Sequence, residues 1–141
     1  MLPFAAEEFF ALFARYNLAI WPAQFVAYIL GCLAVWAIVM QRTWSWRFGA
    51  LVLSAFWLWN GVVYHLVLFT TVNPAAYGFA ALFVMQGLLF LGSAVSSRDV
   101  PLAIVPGACT AIAVGLLVYA MIAYSIIGTL AGHGWPPSPV F

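Results

Sequence analysis

The segment 57–78, WLWNGVVYHLVLFTTVNPAAYG, joins the end of one long apolar stretch to the beginning of the next. It is almost wholly apolar, yet Asn60, Tyr64 and His65 lie within about one and a half helical turns of one another. Asn73 and Pro74 then interrupt it, and a proline disfavours the helical conformation in the residue before it. We therefore predict two apolar helices joined by a tight turn at Asn73 and Pro74, with a polar group inside the first helix.

The composition around this segment is typical of a membrane protein. Of the 141 residues, 67% are hydrophobic and only 5% are charged, whereas a soluble domain carries about a quarter charged residues. The charged residues all lie at the edges of apolar blocks: Glu7, Glu8, Arg15, Arg42, Arg47, Arg98 and Asp99. The sequence therefore predicts an all-α integral membrane protein.

Four apolar stretches reach the length of about 20 residues that a membrane-spanning helix requires. Because the connections between them are short, neighbouring helices should pack side by side in an antiparallel bundle. The fourth stretch is longer than a bilayer needs and contains Pro106 and Gly107, so it should be tilted, kinked, or begin near Pro106. The predicted spans are residues 18–40, 48–72, 76–95 and 102–130.

Residues 1–16 have the pattern of an amphipathic helix that lies in the membrane interface. The polar face carries Glu7, Glu8, Ala11 and Arg15, and the opposite face carries Phe9, Phe10, Leu12, Phe13 and Tyr16. Asn17 and Pro22 fall near the junction with the first span and can supply a helix cap or a bend. We therefore expect this helix to make a clear angle with the first span.

The arginines predict the orientation of the chain in a bacterial inner membrane. Arg42, Arg47 and Arg98 lie in loops on one side, and only Arg15 lies on the other. Because basic loops stay in the cytoplasm, both termini should be on the periplasmic side. The proline-rich tail, residues 131–141, should run extended along that outer surface.

The polar side chains inside the spans fall into two predicted layers. A rise of 1.5 Å per residue places Gln24, His65 and Tyr124 at a depth of roughly 9–10 Å from the outer face. A second layer, at a depth of roughly 15–18 Å, consists of Asn60, Gln86 and Tyr119. Isolated polar groups are costly in hydrocarbon, so these side chains should turn inward and form hydrogen bonds. The layers would hold the bundle together or, alternatively, line a small polar cavity.

His65, which follows Tyr64, has two interpretations. In the first, it is a neutral, inward-facing residue that forms hydrogen bonds with Gln24 and Tyr124 and ties three helices together. In the second, Gly61 leaves room for a ring and His65 binds a haem or a bacteriochlorophyll. We favour the first, because the Gly-x-x-x-His spacing is a weak motif. A metal site of His65 with Cys32 and Cys109 is excluded by their different depths.

Several polar motifs resemble those of a family of small bacterial multipass membrane proteins that is known only as a domain of unknown function. They are Tyr16-Asn17 with Trp21-Pro22-Ala23-Gln24, Tyr64-His65, Asn73-Pro74-Ala75-Ala76, Gln86, and Gly132-His133 with Pro136. In that family the pattern usually continues into a Pro-Cys-Pro segment and further spans, which this sequence lacks. We therefore expect a short member of the family or half of a split protein. The resemblance implies no activity, substrate or cofactor.

The functional residues of an enzyme are not recognisable in the sequence. It contains no nucleophile–base pair, no paired carboxylates inside a span and no phosphate-binding glycine loop, and no basic patch suggests nucleic-acid binding. We predict a non-enzymatic accessory or structural subunit of a larger bacterial membrane complex, in contact with lipids and with other membrane subunits or copies of itself. The alternatives are a subunit that transfers electrons or energy through a cofactor on His65, and a small-molecule carrier or channel.

Overall fold

The computed structural model describes residues 6–96, 104–130 and 132, and within these ranges the chain forms helices and no strands. The prediction of an all-α chain is therefore confirmed for this part. The loop with Arg98 and Asp99, and the tail apart from Gly132, lie outside the described residues. The helices are α1 (Ala6–Ala19), α2 (Ala23–Val39), α3 (Ser45–Thr71), α4 (Ala76–Val95), α5 (Ala108–Val118) and α6 (Tyr124–Leu130).

By length and composition, α3 and α4 could each cross a membrane, with 27 and 20 residues. Together, α1 and α2 also meet that test, but they are bent by 84° relative to each other. The apolar helix Ala108–Ala123 is shorter than a full span, and α6 follows it directly. The described residues therefore contain two or three candidate spans, where the sequence predicts four.

The predicted amphipathic helix is confirmed as α1, which extends to Ala19 rather than ending at residue 16. Its apolar face, with Leu12, Phe13 and Tyr16, is buried against the rest of the chain. The side chains predicted for the polar face are all exposed: Glu7, Glu8, Ala11 and Arg15. The predicted angle with the next helix is also confirmed. The apolar face of α1 thus packs on protein.

The predicted first span, residues 18–40, is divided by the bend at residues 20–22. Pro22 lacks the N–H group that would continue the hydrogen-bond ladder of α1, and α2 begins directly after it. The peptide bond between Trp21 and Pro22 is cis. Most of the predicted span is therefore α2, which has 17 residues.

Helix α3 begins at Ser45, three residues before the predicted start of the second span. Ser45 is buried, and its hydroxyl accepts a hydrogen bond from the backbone N–H of Arg42 at 3.0 Å. The same hydroxyl donates to the carbonyl of Ala37 in α2. The Ser45 side chain therefore stabilises the turn between α2 and α3. Along α3, a regular α-helix gives way to a π-helical segment, Asn60–Leu68, and a final 3₁₀ turn, Phe69–Thr71.

The tight turn predicted at Asn73 and Pro74 is confirmed. The side-chain oxygen of Asn73 accepts a hydrogen bond from the backbone N–H of Ala75 at 3.0 Å, and its carbonyl accepts one from Ala76 at 3.0 Å. Helix α4 then runs over the bounds predicted for the third span, 76–95.

Helices α3 and α4 form a closely packed antiparallel pair. A Cβ atom added to Gly61 would lie 2.9 Å from Val84 Cγ2 and 3.0 Å from the backbone nitrogen of Val84. One added to Gly87 would lie 2.7 Å from Leu58 Cγ. The hydroxyl of Ser54 crosses the interface and donates to the carbonyl of Gly87 at 2.8 Å. Small residues on each helix thus admit the side chains of the other.

The predicted fourth span, residues 102–130, begins later than its predicted bound. Residues 104–106 are not helical, and α5 starts at Ala108, which confirms the alternative of a start near Pro106. A π-helical turn, Tyr119–Ala123, separates α5 from α6. We call the combined region 108–130 the last helix. None of its described side chains is buried, so the predicted antiparallel bundle of four helices is not confirmed.

Candidate functional site

An aromatic cluster holds α1 over the end of α3. At its centre is Tyr64, in the π-helical segment, which is only 7% exposed. Its ring is stacked on Phe13 at 5.2 Å between centroids, and lies 5.4 Å from Tyr16 and 5.7 Å from Phe69. Such aromatic pairs contribute roughly 0.5–1.5 kcal/mol beyond the area they bury. Tyr64 is therefore an anchor for α1.

His65 faces α4, where phenyl rings surround it. Its ring centroid lies 4.5 Å from that of Phe83 and 5.7 Å from that of Phe79. Its Nδ1 atom is buried and has no hydrogen-bond partner among the described residues. The predicted hydrogen bonds from His65 to Gln24 and Tyr124 are therefore wrong for this part of the chain. The inward orientation places the ring among hydrocarbon groups of α4.

The surroundings of Gly61 do not fit a tetrapyrrole on His65. The cofactor hypothesis requires free space beside this glycine, but Val84 and Phe83 approach the position of its missing side chain to 2.9 Å and 3.1 Å. Phe83 also packs on the imidazole itself. A flat ring at His65 would have to displace α4, so the glycine is better explained by helix packing.

A groove lies between the end of α1, the first turns of α2 and the middle of α3, and we call it the elbow groove. It has a volume of about 350 Å³. Its polar lining comes from three helices: Tyr16, Gln24, Trp59 and Asn60. The indole N–H of Trp59 donates to the Tyr16 hydroxyl at 2.8 Å. The side-chain amide of Asn60 donates to the carbonyl of Phe56, one turn earlier in α3, at 3.0 Å.

Gln24 is the most deeply buried polar side chain from α2 in this groove, with 4% of its surface exposed. Its Nε2 atom donates to the carbonyl of Asn17 at 2.7 Å. Because a carbonyl only accepts hydrogen bonds, this contact determines which end of the amide is which. The Oε1 atom is buried and has no partner among the described residues.

The two predicted polar layers do not assemble in the described part of the chain. Gln24 and Asn60, predicted at different depths, line the same groove. Tyr119 and Tyr124 lie on the last helix with 50% and 37% of their surfaces exposed, 6.1 Å apart between ring centroids. Gln86 is partly buried on α4. The layers do not form because Tyr119 and Tyr124 stay at the surface of the last helix, and because Gln24 donates to Asn17 while His65 packs on Phe83 of α4.

Three residues that shape this region have no role in the sequence analysis. Trp59, Ser45 and Ser54 lie in or beside apolar runs of the sequence, and none of them is part of a motif there. Each forms a hydrogen bond to a different helix or to a turn. A signal was available for the two serines, because a hydroxyl in an apolar helix needs an acceptor. Nothing in the residue types indicates which acceptor each one finds.

The lining of the elbow groove is uncharged. None of the residues that line it is charged. Nor does any group of three His, Cys, Asp or Glu side chains come close enough to hold a metal ion, within residues 6–96, 104–130 and 132. The groove is lined by uncharged polar side chains at one end and by apolar side chains elsewhere.

These features define a class of protein: an apolar, all-helical chain in which an N-terminal amphipathic helix folds over an antiparallel helix pair. The model of a family of unknown function, DUF6064, matches residues 6–141, so the chain belongs to that family. This confirms the resemblance to a family known only as a domain of unknown function. No curated protein and no solved structure matches the chain.

Proposed function

We propose that the chain is an integral protein of the bacterial inner membrane and a non-enzymatic accessory or structural subunit of a larger membrane complex. Its outward faces support a membrane location, because large apolar side chains are exposed along α2, α3 and α4; examples are Ile29, Leu51 and Leu89. Contiguous apolar surface on this scale is typical of a membrane or protein interface.

The observation that carries the subunit proposal is the state of the last helix. It is mostly apolar, yet none of its described side chains is buried by the rest of the chain. Tyr119 and Tyr124 project from it, half-exposed, in the middle of an otherwise apolar stretch. Lipid tails offer a tyrosine hydroxyl no hydrogen-bond partner. A neighbouring subunit supplies both apolar contacts and an acceptor.

Photocrosslinking in native membranes tests this proposal. A photoreactive phenylalanine analogue replaces Leu116, which is 64% exposed on the last helix. We expect a discrete protein adduct from this site. The matched control replaces Leu88, an exposed leucine on α4, where we expect lipid adducts. If Leu116 gives no protein adduct in native membranes, the subunit proposal is wrong.

The membrane location and the four-span orientation have their own test. Alkaline carbonate should leave the chain in the membrane pellet, and release into the supernatant would contradict an integral location. With both termini outside the cytoplasm, alkaline phosphatase fused after residue 141 should be active. A fluorescent protein fused at the same place and exported by the general secretion route should be dark. The opposite pair of results would reverse the orientation.

A further inference from the structure

We propose that a second copy of the chain docks its α4 into a cleft between α2, α3 and the last helix, where its Gln86 accepts a hydrogen bond from the Tyr119 hydroxyl. This inference rests on the proposed function, because it names the neighbouring subunit that supplies an acceptor to Tyr119. It also gives a role to Gln86, which has no hydrogen-bond partner in the described part of its own chain.

The cleft separates the last helix from α2 and α3, and we call it the three-helix cleft. Its volume is about 770 Å³, more than twice that of the elbow groove. The last helix touches α2 at Gly31, where an added Cβ atom would lie 3.6 Å from Met121 Cε. None of the residues that line the cleft is charged. Small residues form much of its α2 and α3 walls: Ala27, Gly31, Ala34 and Gly49.

The size of the three-helix cleft matches the side chains on one face of a helix. Removal of a single core leucine leaves a cavity of about 150 Å³, so the cleft accommodates about five large side chains. On α2 the cleft extends over residues 27–38, which is about three helical turns. One face of a helix presents about three to four large residues per two turns. A helix packed against this cleft therefore supplies the number of side chains required.

The outward face of α4 has the complementary shape, and we call it the α4 ridge. It consists of the exposed side chains Leu82, Met85 and Leu89, together with Gln86. At 3.6 residues per turn, these four residues lie within a sector of about 100° around the helix. The small residues of the three-helix cleft let such a ridge approach closely, as small residues do where helices pack in membranes.

Gln86 and Tyr119 supply the hydrogen bond that sets the register of the contact. Gln86 is partly exposed, and both polar atoms of its amide have accessible surface. Tyr119 is half-exposed and lines the cleft. Neither side chain forms a hydrogen bond within the described part of the chain. The amide oxygen accepts hydrogen bonds and the hydroxyl donates one, whereas lipid tails satisfy neither group.

The depths of these two residues also agree. Helix α4 begins at Ala76 and the last helix ends at Leu130, so Gln86 and Tyr119 are ten and eleven residues from the outer ends of their helices. A rise of 1.5 Å per residue places both at a depth of roughly 15–17 Å. Copies in one membrane have the same orientation, so the two side chains lie at one height in neighbouring copies. The polar layer that the sequence predicts within the chain thus forms between chains.

The contact is head-to-tail. On α3, Ser54 and Gly61 pack on α4, whereas Gly49 and Phe56 line the three-helix cleft from the opposite side of the helix. The α4 ridge and the cleft therefore face in different directions, and one neighbour cannot occupy both. Each copy offers its ridge to one neighbour and its cleft to another, which builds a ring or a row of copies.

Disulfide trapping in native membranes tests this contact. The full chain carries Cys32→Ala and Cys109→Ala, because both cysteines are exposed. Leu89→Cys on the ridge is then combined with Leu117→Cys in the cleft, since each lies thirteen residues from the outer end of its helix. We expect mild oxidation to give a series of dimers, trimers and larger species. No crosslinked species, or a series that stops at the dimer, would overturn the proposal.

Matched cysteine controls separate this contact from others. Leu88→Cys replaces Leu89→Cys at nearly the same depth but about 100° away around α4, and with Leu117→Cys it should give little crosslinking. Equal crosslinking of the two pairs would contradict the ridge. Each of Leu89→Cys and Leu117→Cys alone should stay monomeric. A strong dimer from Leu89→Cys alone would show a symmetric α4–α4 contact and would also contradict the proposal.

A steric block examines the cleft. In the variant with Leu89→Cys and Leu117→Cys, Ala34→Phe fills the wall of the cleft and should abolish the series of crosslinked species. Ala111→Phe makes the same change at an exposed alanine of the last helix that does not line the cleft, and should leave the series unchanged. A full series with Ala34→Phe would contradict the docking site.

The polar contact is examined by energy transfer between labelled copies, diluted in dodecylmaltoside. Gln86→Met removes the acceptor and should lower the association constant about threefold to thirtyfold, the range for an interhelical polar contact. Tyr119→Phe removes the donor and should have the same effect. If the two groups bond each other, the double variant should lose no more than either single one. Additive losses would contradict the hydrogen bond.

Failure of this inference is distinguishable from failure of the proposed function. The carbonate and Leu116 experiments detect a membrane location and any neighbouring protein, whereas the disulfides detect only a second copy. A Leu116 adduct with a different protein, without disulfides between copies, would retain the proposed function and remove this inference. A series of crosslinked copies from a chain that carbonate releases would support the contact and contradict the membrane location.

Discussion

The antiparallel pair α3–α4 and the last helix have the same apolar character but opposite packing. In the pair, Gly61 and Gly87 admit Val84 and Leu58, and the rings of Trp57 and Phe83 are 4.6 Å apart. In the last helix, a Cβ atom added to Gly115 would meet nothing within 4 Å. Apolar composition therefore does not decide where a helix packs. Where a helix packs is decided by small residues that lie opposite large ones, and by hydroxyls that reach a carbonyl of the neighbouring helix.

The largest difference between the two regions is expected at their tyrosines. Tyr64 and Tyr119 both lie in π-helical segments, but Tyr64 is buried under α1 and Tyr119 is half-exposed. Tyr64→Ala should lower the free energy of unfolding by about 3–5 kcal/mol, as for other buried aromatic side chains. Tyr119→Ala should lower it by less than about 1 kcal/mol. Unfolding in mixtures of SDS and dodecylmaltoside, followed by circular dichroism, measures both. Similar losses would mean that the last helix packs as tightly as the pair.

The glycines should show the next largest difference. Gly61→Ala forces a methyl group against the backbone of α4, and overpacking of this kind costs about 1–3 kcal/mol. Gly115→Ala enters open space and should be neutral or slightly stabilising, because alanine favours a helix over glycine by up to about 1 kcal/mol. Thermal unfolding of the two variants in one detergent gives the comparison. A stable Gly61→Ala variant would show that the pair is more loosely packed than its contacts indicate.

A smaller difference is expected for two hydroxyls. Ser54 of α3 donates across the interface to the carbonyl of Gly87 in α4. Thr110 lies in the first turn of α5 and donates at 2.7 Å to the carbonyl of Val105, which precedes that helix. Ser54→Ala should cost about 0.6–2 kcal/mol, the range for interhelical polar contacts in membranes. The exposed, local contact of Thr110 should cost less. The same SDS titration measures the free energy of unfolding of both variants. Equal losses would contradict an interface role for Ser54.

The smallest effect is expected at His65. Because its Nδ1 atom has no hydrogen-bond partner among the described residues, His65→Leu loses no hydrogen bond from that atom. Replacement of an unsatisfied polar group by an apolar one is close to neutral. The free energy of unfolding should therefore change by less than about 1 kcal/mol, where the sequence analysis expects His65 to tie three helices together. A loss as large as that of Tyr64→Ala would show that His65 has a polar partner outside the described residues.

Local signals in the sequence predicted much of the fold. The turn at Asn73 and the bounds 76–95 follow from a proline and from the length of an apolar run, and the buried face of α1 follows from helical periodicity. These properties depend on residues close together in the chain. A bend near Pro22 is likewise expected from the sequence, which puts it at the junction with the first span, whereas in the structure it divides that span.

The candidate site was much less predictable, for a physical reason. The elbow groove exists because an 84° bend brings α1 over α3, where Tyr64 of the π-helical segment packs on Phe13 and Tyr16 of α1. Residue types do not reveal a change from α-helical to π-helical hydrogen bonding. Depth alone therefore groups Gln24 with His65, whereas in the structure its amide donates to the carbonyl of Asn17 and it lines the same groove as Asn60. The sequence also does not show that the side chains of the last helix are exposed. Contact with lipid, with a partner or with the chain itself requires the same apolar residues.

The contacts of α1 imply an order of assembly during translation. A chain is made from its N-terminus, so α1 is complete before the residues that bury it, Tyr64, Phe69 and Ala76, have been synthesised. Until then, the apolar face with Leu12 and Phe13 has no intramolecular cover. We expect the bilayer surface or a chaperone to hold it during that interval. Helix α1 thus leaves the ribosome before α2, α3 and α4, but its docking is complete only when the α3–α4 turn exists.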